Sequence, residues 1–276
     1  MTDRYAVIGN PVAHSKSPVI HAEFARQTAQ DLIYERILAP LDHFRASVDQ
    51  FRAEGGKGLN VTAPFKLDAF ALSADCSERA RSAQAVNTLK FDGSLIYGDN
   101  TDGVGLARDL QTNLGVTLGG SHILLMGAGG AAQGVLRPLL EARPARLFIA
   151  NRTLDKAARL VQRLRDNGES KNVDVQAGSY AQLQGEGFDV VINATAASLD
   201  DTVPELPEGV FAAHALAYDM MYGKGMTPFL QLAGTQPGVR VADGLGMLVE
   251  QAAESFYLWR GVRPQTFPVI AALRSQ

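Results

Sequence analysis

The sequence predicts an α/β protein built of two α/β domains, and three observations predict it. Apolar strand-like runs alternate with helical stretches almost from end to end, the pattern of mostly parallel sheets covered by helices. A glycine-rich turn near the middle of the chain, Gly127 to Ala132, follows an apolar run and opens a helix, so a second α/β unit starts there. The closing stretch from Met247 to Arg260 puts Leu248, Ala252, Phe256 and Trp259 on one helical face, which suits a return to the first domain. The boundaries expected on this basis are 1–102, 103–243, and 244–276 for the returning helices.

Element by element, strands are expected near Tyr5–Ile8, Ile33–Leu38, Gly58–Val61, Asn87–Lys90 and Leu95–Gly98, with helices between them. Ser17-Pro18 reads as a helix start, serine as N-cap and proline at the first helical position. From Thr101 an amphipathic helix carrying Val104, Leu106, Ala107, Leu110 and Leu114 bridges the domains. Strands at 123–126, 146–150, 173–176, 188–192, 215–219 and 239–242 follow. Pro138 falls inside the helix after the glycine turn, which predicts a kink or a site where the missing N–H is tolerated. Two chain crossings between the domains predict an active cleft between them.

The glycine turn carries chemistry. An apolar strand, Ile123 to Met126, feeds Gly127-Ala128-Gly129-Gly130-Ala131-Ala132, the G-x-G-x-x-A spacing of a dinucleotide-binding turn. Gly127 permits the bend, Gly129 lets a pyrophosphate approach the backbone, and Ala132 lets helix and strand pack closely. The next strand ends in Asn151-Arg152-Thr153, where a carboxylate would be expected for NAD. A cation there neutralises a 2′-phosphate, and Lys156 adds a second one turn on, so the preferred cofactor is NADP.

Composition narrows the remaining classes. The 276 residues are 46% hydrophobic and 20% charged, with a formal net charge of -3, so no basic field for nucleic acid and no polybasic membrane patch is expected. A single cysteine, Cys76, excludes an internal disulfide. No apolar run is long enough to span a bilayer, and the chain enters a strand within its first residues, so a cytoplasmic location is expected. The histidines, His14, His21, His43, His122 and His214, complete no metal-ligand spacing, and no metal is expected.

Two further constellations stand out. Asn60-Val61-Thr62-Ala63-Pro64-Phe65-Lys66 ends a strand in a polar turn and a lysine. Gly98-Asp99-Asn100-Thr101-Asp102-Gly103 ends another in a cluster of polar groups. Lys66 reads equally as an exposed helix lysine, and Asp102 as a helix N-cap. Together at one site they would give a lysine able to exchange a proton with a substrate hydroxyl while hydride moves. Ser15 and Ser17, in a loop leading to a helix start, form either a carboxylate socket or a capped turn.

Taken together these segments resemble the shikimate dehydrogenase family. The resemblance rests on VIGNPVAHSKSP at Val7–Pro18, NVTAPFK at Asn60–Lys66, AVNTL at Ala85–Leu89, GDNTDG at Gly98–Gly103 and GAGGA at Gly127–Ala131. It continues through NRT at Asn151–Thr153, NAT at Asn193–Thr195, YDM at Tyr218–Met220 and DGLGMLVEQ at Asp243–Gln251, so it covers practically the whole chain. It implies an N-terminal substrate domain completed by C-terminal helices, a Rossmann-type NADP-binding domain, and reversible reduction of 3-dehydroshikimate to shikimate in aromatic amino-acid biosynthesis. It also implies roles for individual residues. Ser15 and Ser17 would hold the substrate carboxylate, and Asn60, Thr62, Asn87, Asp102 and Gln251 the ring hydroxyls, with Tyr218 nearby. Lys66 would transfer the proton, oriented by Asp102. Gly127, Ala128, Gly129, Gly130 and Ala131 would line the pyrophosphate, and Asn151, Arg152, Thr153 and Lys156 the 2′-phosphate. Asn193, Thr195, Gly244 and Met247 would border the nicotinamide. One departure is visible: Ala196-Ala197-Ser198 stands where the family usually continues with serine and then glycine. The implied partner is a small-molecule substrate, with the chain a monomer or a homodimer. Alternatives are a quinate/shikimate dehydrogenase with relaxed substrate or cofactor use, and a non-catalytic NADP sensor.

Overall fold

A computed structural model describes residues 2–195, 205–223 and 225–275. The chain forms two compact units, Met1–Gly105 with Leu248–Gln276, and Leu106–Met247. Among the described residues each contains a six-stranded sheet.

The first unit runs β1 (Asp3–Gly9), α1 (Ser17–Thr28), β2 (Leu32–Leu38), α2 (Phe44–Ala53), β3 (Gly56–Val61), α3 (Lys66–Leu72), β4 (Asp75–Cys76), α4 (Glu78–Ala83), β5 (Thr88–Asp92) and β6 (Leu95–Asp99). The sheet order is β2-β1-β3-β5-β6-β4, with β1 parallel to both β2 and β3, and β5 antiparallel to both β3 and β6. Strand β1 is flanked by a strand on each side, and its last five residues are buried. Its alternate side chains serve two cores, as the period of two in a strand requires. Ala6 and Ile8 join Phe44, Val48, Phe51, Leu59 and Val61 on one face. On the other, Tyr5 stacks on Trp259 with ring centroids 4.7 Å apart. The Trp259 indole also donates to the Leu89 carbonyl at 3.0 Å, and a Cβ on Gly58 would run into its ring. A glycine on β3 is therefore what lets the C-terminal helix dock.

Ser17 is the first residue of α1 rather than its cap, which is Lys16. The Ser15 hydroxyl takes the Ser17 N–H at 3.2 Å, so the free N–H groups of this helix end are met from two residues upstream. The two-residue strand β4 has no sequence signal, being too short to show an alternation.

The second unit continues with β7 (His122–Met126), α6 (Gly130–Glu141), β8 (Arg146–Ala150), α7 (Leu154–Asp166), β9 (Asp174–Gly178), β10 (Phe188–Asn193), β11 (Phe211–Asp219), α8 (Pro228–Gly234) and β12 (Arg240–Asp243). All pairings are parallel, in the order β12-β11-β10-β7-β8-β9. This is the doubly wound dinucleotide-binding order, whose direction reverses between β7 and β10. Both faces are covered: Ile123, Leu125, Leu147, Ile149, Val190 and Ile192 pack into one core, Leu124, Met126, Phe148, Ala150 and Val191 into the other. Strands buried on both faces read as continuous apolar runs, which is why they are plain in the sequence.

Pro138 stays inside α6, which continues to Glu141; the helix forgoes the bond that residue 138 would give to the Gly134 carbonyl. The bridging helix differs more. Its α-helical part, α5 (Asp102–Arg108), passes into a π-helical turn at Asp109–Asn113. The Asp109 carbonyl accepts from Leu114 N at 3.0 Å, five residues on, and the Asp109 carboxylate is buried. Two helices close the chain, α9 (Leu245–Arg260) and α10 (Phe267–Arg274). Among the described residues no helix is long and apolar enough to cross a membrane.

Candidate active site and cofactor cavity

In the first unit the polar turns after β3 and β6 converge. Lys66 opens α3, and its Nζ donates to Asp102 Oδ2 at 2.5 Å. The other carboxylate oxygen, Oδ1, accepts from Asn87 Nδ2 at 2.8 Å. Asp102 is the first residue of α5, and its side chain is spent on Lys66 and Asn87 instead of capping. Lys66 keeps about a third of its side chain exposed (31%), Asp102 much less (12%). The result is an ammonium at a solvent-reachable surface, held from behind by a buried carboxylate.

Around this pair the amides are locked by the protein itself. Asn87 Oδ1 accepts from Thr101 N at 2.9 Å, and its Nδ2 also reaches Thr101 Oγ1 at 2.9 Å and Gln251 Oε1 at 3.3 Å. Asn60 is buried, with its Oδ1 accepting from the Tyr34 hydroxyl at 2.7 Å. Its Nδ2 donates inward, to Ser255 Oγ at 3.0 Å, Thr88 Oγ1 at 3.2 Å and the Asn87 carbonyl at 3.3 Å. Asn60 thus retains little more than one lone pair for a ligand. At the N-terminal loop Ser15 Oγ donates to Ser17 Oγ at 3.1 Å, and Arg36 clamps the Ser15 carbonyl with bonds of 2.6 and 3.1 Å. Thr88 lies within the AVNTL motif, whereas Tyr34, Arg36 and Ser255 lie outside the motifs. Of these three only Ser255 had a signal, lying one helical turn beyond Gln251.

In the second unit a cavity of about 620 Å³ opens at the carboxyl ends of β7, β8 and β10, beside the reversal point of the sheet. Gly127, Ala128 and Gly129 line it, with Asn151, Ala194 and Thr195. Gly127 has φ +110°, and a Cβ there would press on the Ala194 carbonyl at 3.1 Å. By contrast a Cβ on Gly129 or Gly130 would meet nothing within 4 Å, so the backbone at the start of α6 is open to a ligand. The far wall is cationic: Lys156, Arg159 and Arg163 lie along one face of α7, with Gln133 of α6 accepting from Arg163 at 3.1 Å. Arg159 and Arg163 are three and seven residues beyond Lys156, a spacing readable from a helical wheel. This shape, open helix N-terminus and row of cations fit a phosphorylated dinucleotide.

Several of the expected residues are not part of the cavity lining. Arg152 and Thr153 are exposed beside it, and Gly130 and Ala131 follow Gly129 at the start of α6. Tyr218 is fully buried in the core of the second unit, where its hydroxyl donates to Asp109 at 2.7 Å; burial and that carboxylate hold its pKa well above the usual tyrosine value. Its hydroxyl is thus engaged inside the second unit. Asn193 is also fully buried; its Oδ1 accepts from Thr195 N and Oγ1, so Thr195 faces the cavity and Asn193 props it. Met247 belongs to the same core, and Gly244 packs against the Met220 carbonyl so closely that no Cβ would fit. Ala196-Ala197-Ser198 lie outside the described residues.

Three family models match the chain in order. They are the shikimate dehydrogenase substrate binding domain at residues 7–89, shikimate / quinate 5-dehydrogenase at 109–201, and the shikimate 5'-dehydrogenase C-terminal domain at 244–274. A shikimate dehydrogenase (NADP(+)) of Nitrosospira multiformis is 61% identical over 275 residues, covering 100% of this chain and 98% of that one. The chain belongs to the shikimate dehydrogenase family. Among solved structures of similar proteins, an Ael1 enzyme from Pseudomonas putida shares 52% identity at a TM-score of 0.92, covering 99% of this chain and 98% of that one. The shikimate 5-dehydrogenase of Thermus thermophilus, solved with NADP(H) and shikimate, shares 30% identity at 0.86, covering 99% of both chains. Lys66 lies within the stretch matched by the substrate binding domain model, and the glycine turn at Gly127–Ala131 within the stretch matched by the shikimate / quinate 5-dehydrogenase model.

Proposed function

We propose that this shikimate dehydrogenase family member performs its reaction through Lys66 and Asp102. The enzyme is an NADP-dependent oxidoreductase that reduces 3-dehydroshikimate reversibly to shikimate in the shikimate pathway. NADPH supplies the hydride when bound. The Lys66 ammonium meets the charge that develops on the ring oxygen and gives it a proton. In the reverse direction Lys66 takes that proton from the hydroxyl. Asp102 aims the lysine, and Asn87 fixes Asp102 through its second oxygen. Ser15 and Ser17 bind the substrate carboxylate, and Thr62 and Gln251 its hydroxyls. In the second unit the open backbone at Gly129 and Gly130 receives the pyrophosphate, and Asn151 and Lys156 the 2′-phosphate, with Arg152 and Thr153 at its solvent side. The cytoplasm is its place of action.

The observation that carries this reading is the 2.5 Å contact between Lys66 and a carboxylate anchored from behind. The test follows NADPH formation with shikimate and NADP⁺, beside quinate and NAD⁺, on wild type and Lys66→Ala. Wild type should prefer shikimate and NADP⁺, and the variant should lose about 10²–10⁴-fold in kcat, the usual share of a general acid–base. Undiminished turnover in Lys66→Ala would assign the proton transfer to another group.

A further inference from the structure

Ser255 is a fully buried serine on α9, among the buried apolar residues Ala252, Ala253, Phe256 and Trp259 of the same helix. Its hydroxyl lies at the junction of four chain segments. It accepts from Asn60 Nδ2 of β3 at 3.0 Å, meets Thr88 Oγ1 of β5 at 2.8 Å and Thr101 Oγ1 at 3.2 Å, and donates to the Gln251 carbonyl one turn back at 3.0 Å. Each of those segments carries a residue of the proposed substrate site: Asn60, Asn87 beside Thr88, Asp102 beside Thr101, and Gln251. A buried hydroxyl with four polar neighbours exceeds what helix packing asks for, and Ala252, Ala253 and Phe256 already supply that packing.

We propose that Ser255 is a positioning residue for substrate recognition. It holds Thr101, and through Thr101 and Asn87 it sets the carboxylate of Asp102; it also fixes the direction of the Asn60 amide, whose oxygen Tyr34 holds from the other side. This rests on the shikimate reading above. The network tolerates loss of the hydroxyl without stranding a buried group. Asn60 Nδ2 retains Thr88 Oγ1 and the Asn87 carbonyl, and Thr88 and Thr101 retain Asn87 Oδ1. The fold therefore survives Ser255→Ala, and what is lost is the register of α9 against β3, β5 and the Thr101 segment.

The test measures KM for shikimate, KM for NADP⁺, kcat and Tm in wild type, Ser255→Ala and Ser255→Cys. The alanine variant removes the hydrogen-bonding group and the cysteine variant nearly preserves its volume, which separates bonding from packing. Expected is a rise of about 5–20-fold in KM for shikimate in both variants, of the size set by one or two hydrogen bonds, with KM for NADP⁺ unchanged. Two results would overturn the proposal. One is an unchanged KM for shikimate in either variant; the other is a rise of both KM values together with a fall in Tm, the mark of a structural role. Wild-type turnover of shikimate, measured in the same series, tests the functional reading by itself. If wild type fails there, calorimetric binding of shikimate to wild type and Ser255→Ala decides the Ser255 question separately, equal affinity counting against it.

Discussion

At the scale of single residues, the most consequential buried group outside the proposed chemistry is His21. It is 1% exposed, lies parallel to Tyr34 with ring centroids 4.2 Å apart, and is ringed by Phe24, Phe256 and Trp259. Burial drives its pKa down to about 3, against a small opposing pull from Asn60. The imidazole is thus neutral in the folded protein, whereas in the unfolded chain it titrates near ~6.5. Between those values the unfolded state binds one more proton, so stability falls as pH falls, by up to about 1.4 kcal/mol per pH unit from this residue. His21→Leu should flatten the urea-midpoint profile between about pH 6 and pH 4 relative to wild type. Parallel profiles for the two proteins would show that His21 is not what the acid limb reports. The same aromatic pocket explains why His21 offered no functional signal in the sequence: its neighbours are brought together only by packing of α1, β2 and α9.

At the scale of elements, what could be read from the chain was what repeats along it. The strands of the second unit are continuous apolar runs, and its glycine turn has fixed spacing, so both were visible before folding. Two features were not. The π-turn at Asp109–Asn113 begins at a buried carboxylate that accepts from Tyr218, a contact 109 residues apart in sequence. The amide lock on Asn60 includes Ser255, 195 residues away. Motifs name residues of a site, but they do not separate those that touch a ligand from those that hold them, and the burial of Tyr218, Asn193 and Met247 could not be read from their motifs. The cation wall of α7 is an element-scale feature of the other kind, since its spacing is helical. Lys156 and Arg159 share the cavity, whereas Arg152 stands outside its lining. Lys156→Ala and Arg159→Ala should each lower kcat/KM for NADP⁺ about 10–100-fold, the value of a hydrogen bond to a charged group, while NAD⁺ kinetics move little. Equal losses with both cofactors would place these cations on the pyrophosphate instead of the 2′-phosphate.

At the scale of the whole molecule, the two ligands are assigned to different units of the chain. The residues proposed for shikimate lie in Met1–Gly105 and Leu248–Gln276, and the nucleotide cavity lies in Leu106–Met247. Each unit has its own sheet and its own core, so the binding energetics should separate even though turnover requires both ligands. Sites that share no partners are additive to within a few tenths of a kcal/mol. Lys66→Ala and Ser17→Ala should accordingly leave the NADP⁺ dissociation constant, measured by calorimetry without substrate, within about twofold of wild type. The same separation appears in heat stability. NADP⁺ at about 100 times its dissociation constant should stabilise wild type and Lys66→Ala alike by about 2.7 kcal/mol, because the linkage depends only on occupancy of the nucleotide site. Lys156→Ala, with NADP⁺ binding weakened about 10–100-fold, should keep only about 0.4–1.4 kcal/mol of that stabilisation at the same NADP⁺ concentration. A Lys66→Ala protein whose NADP⁺ affinity collapsed would mean that the lysine takes part in nucleotide binding, and its loss of turnover would then no longer measure proton transfer.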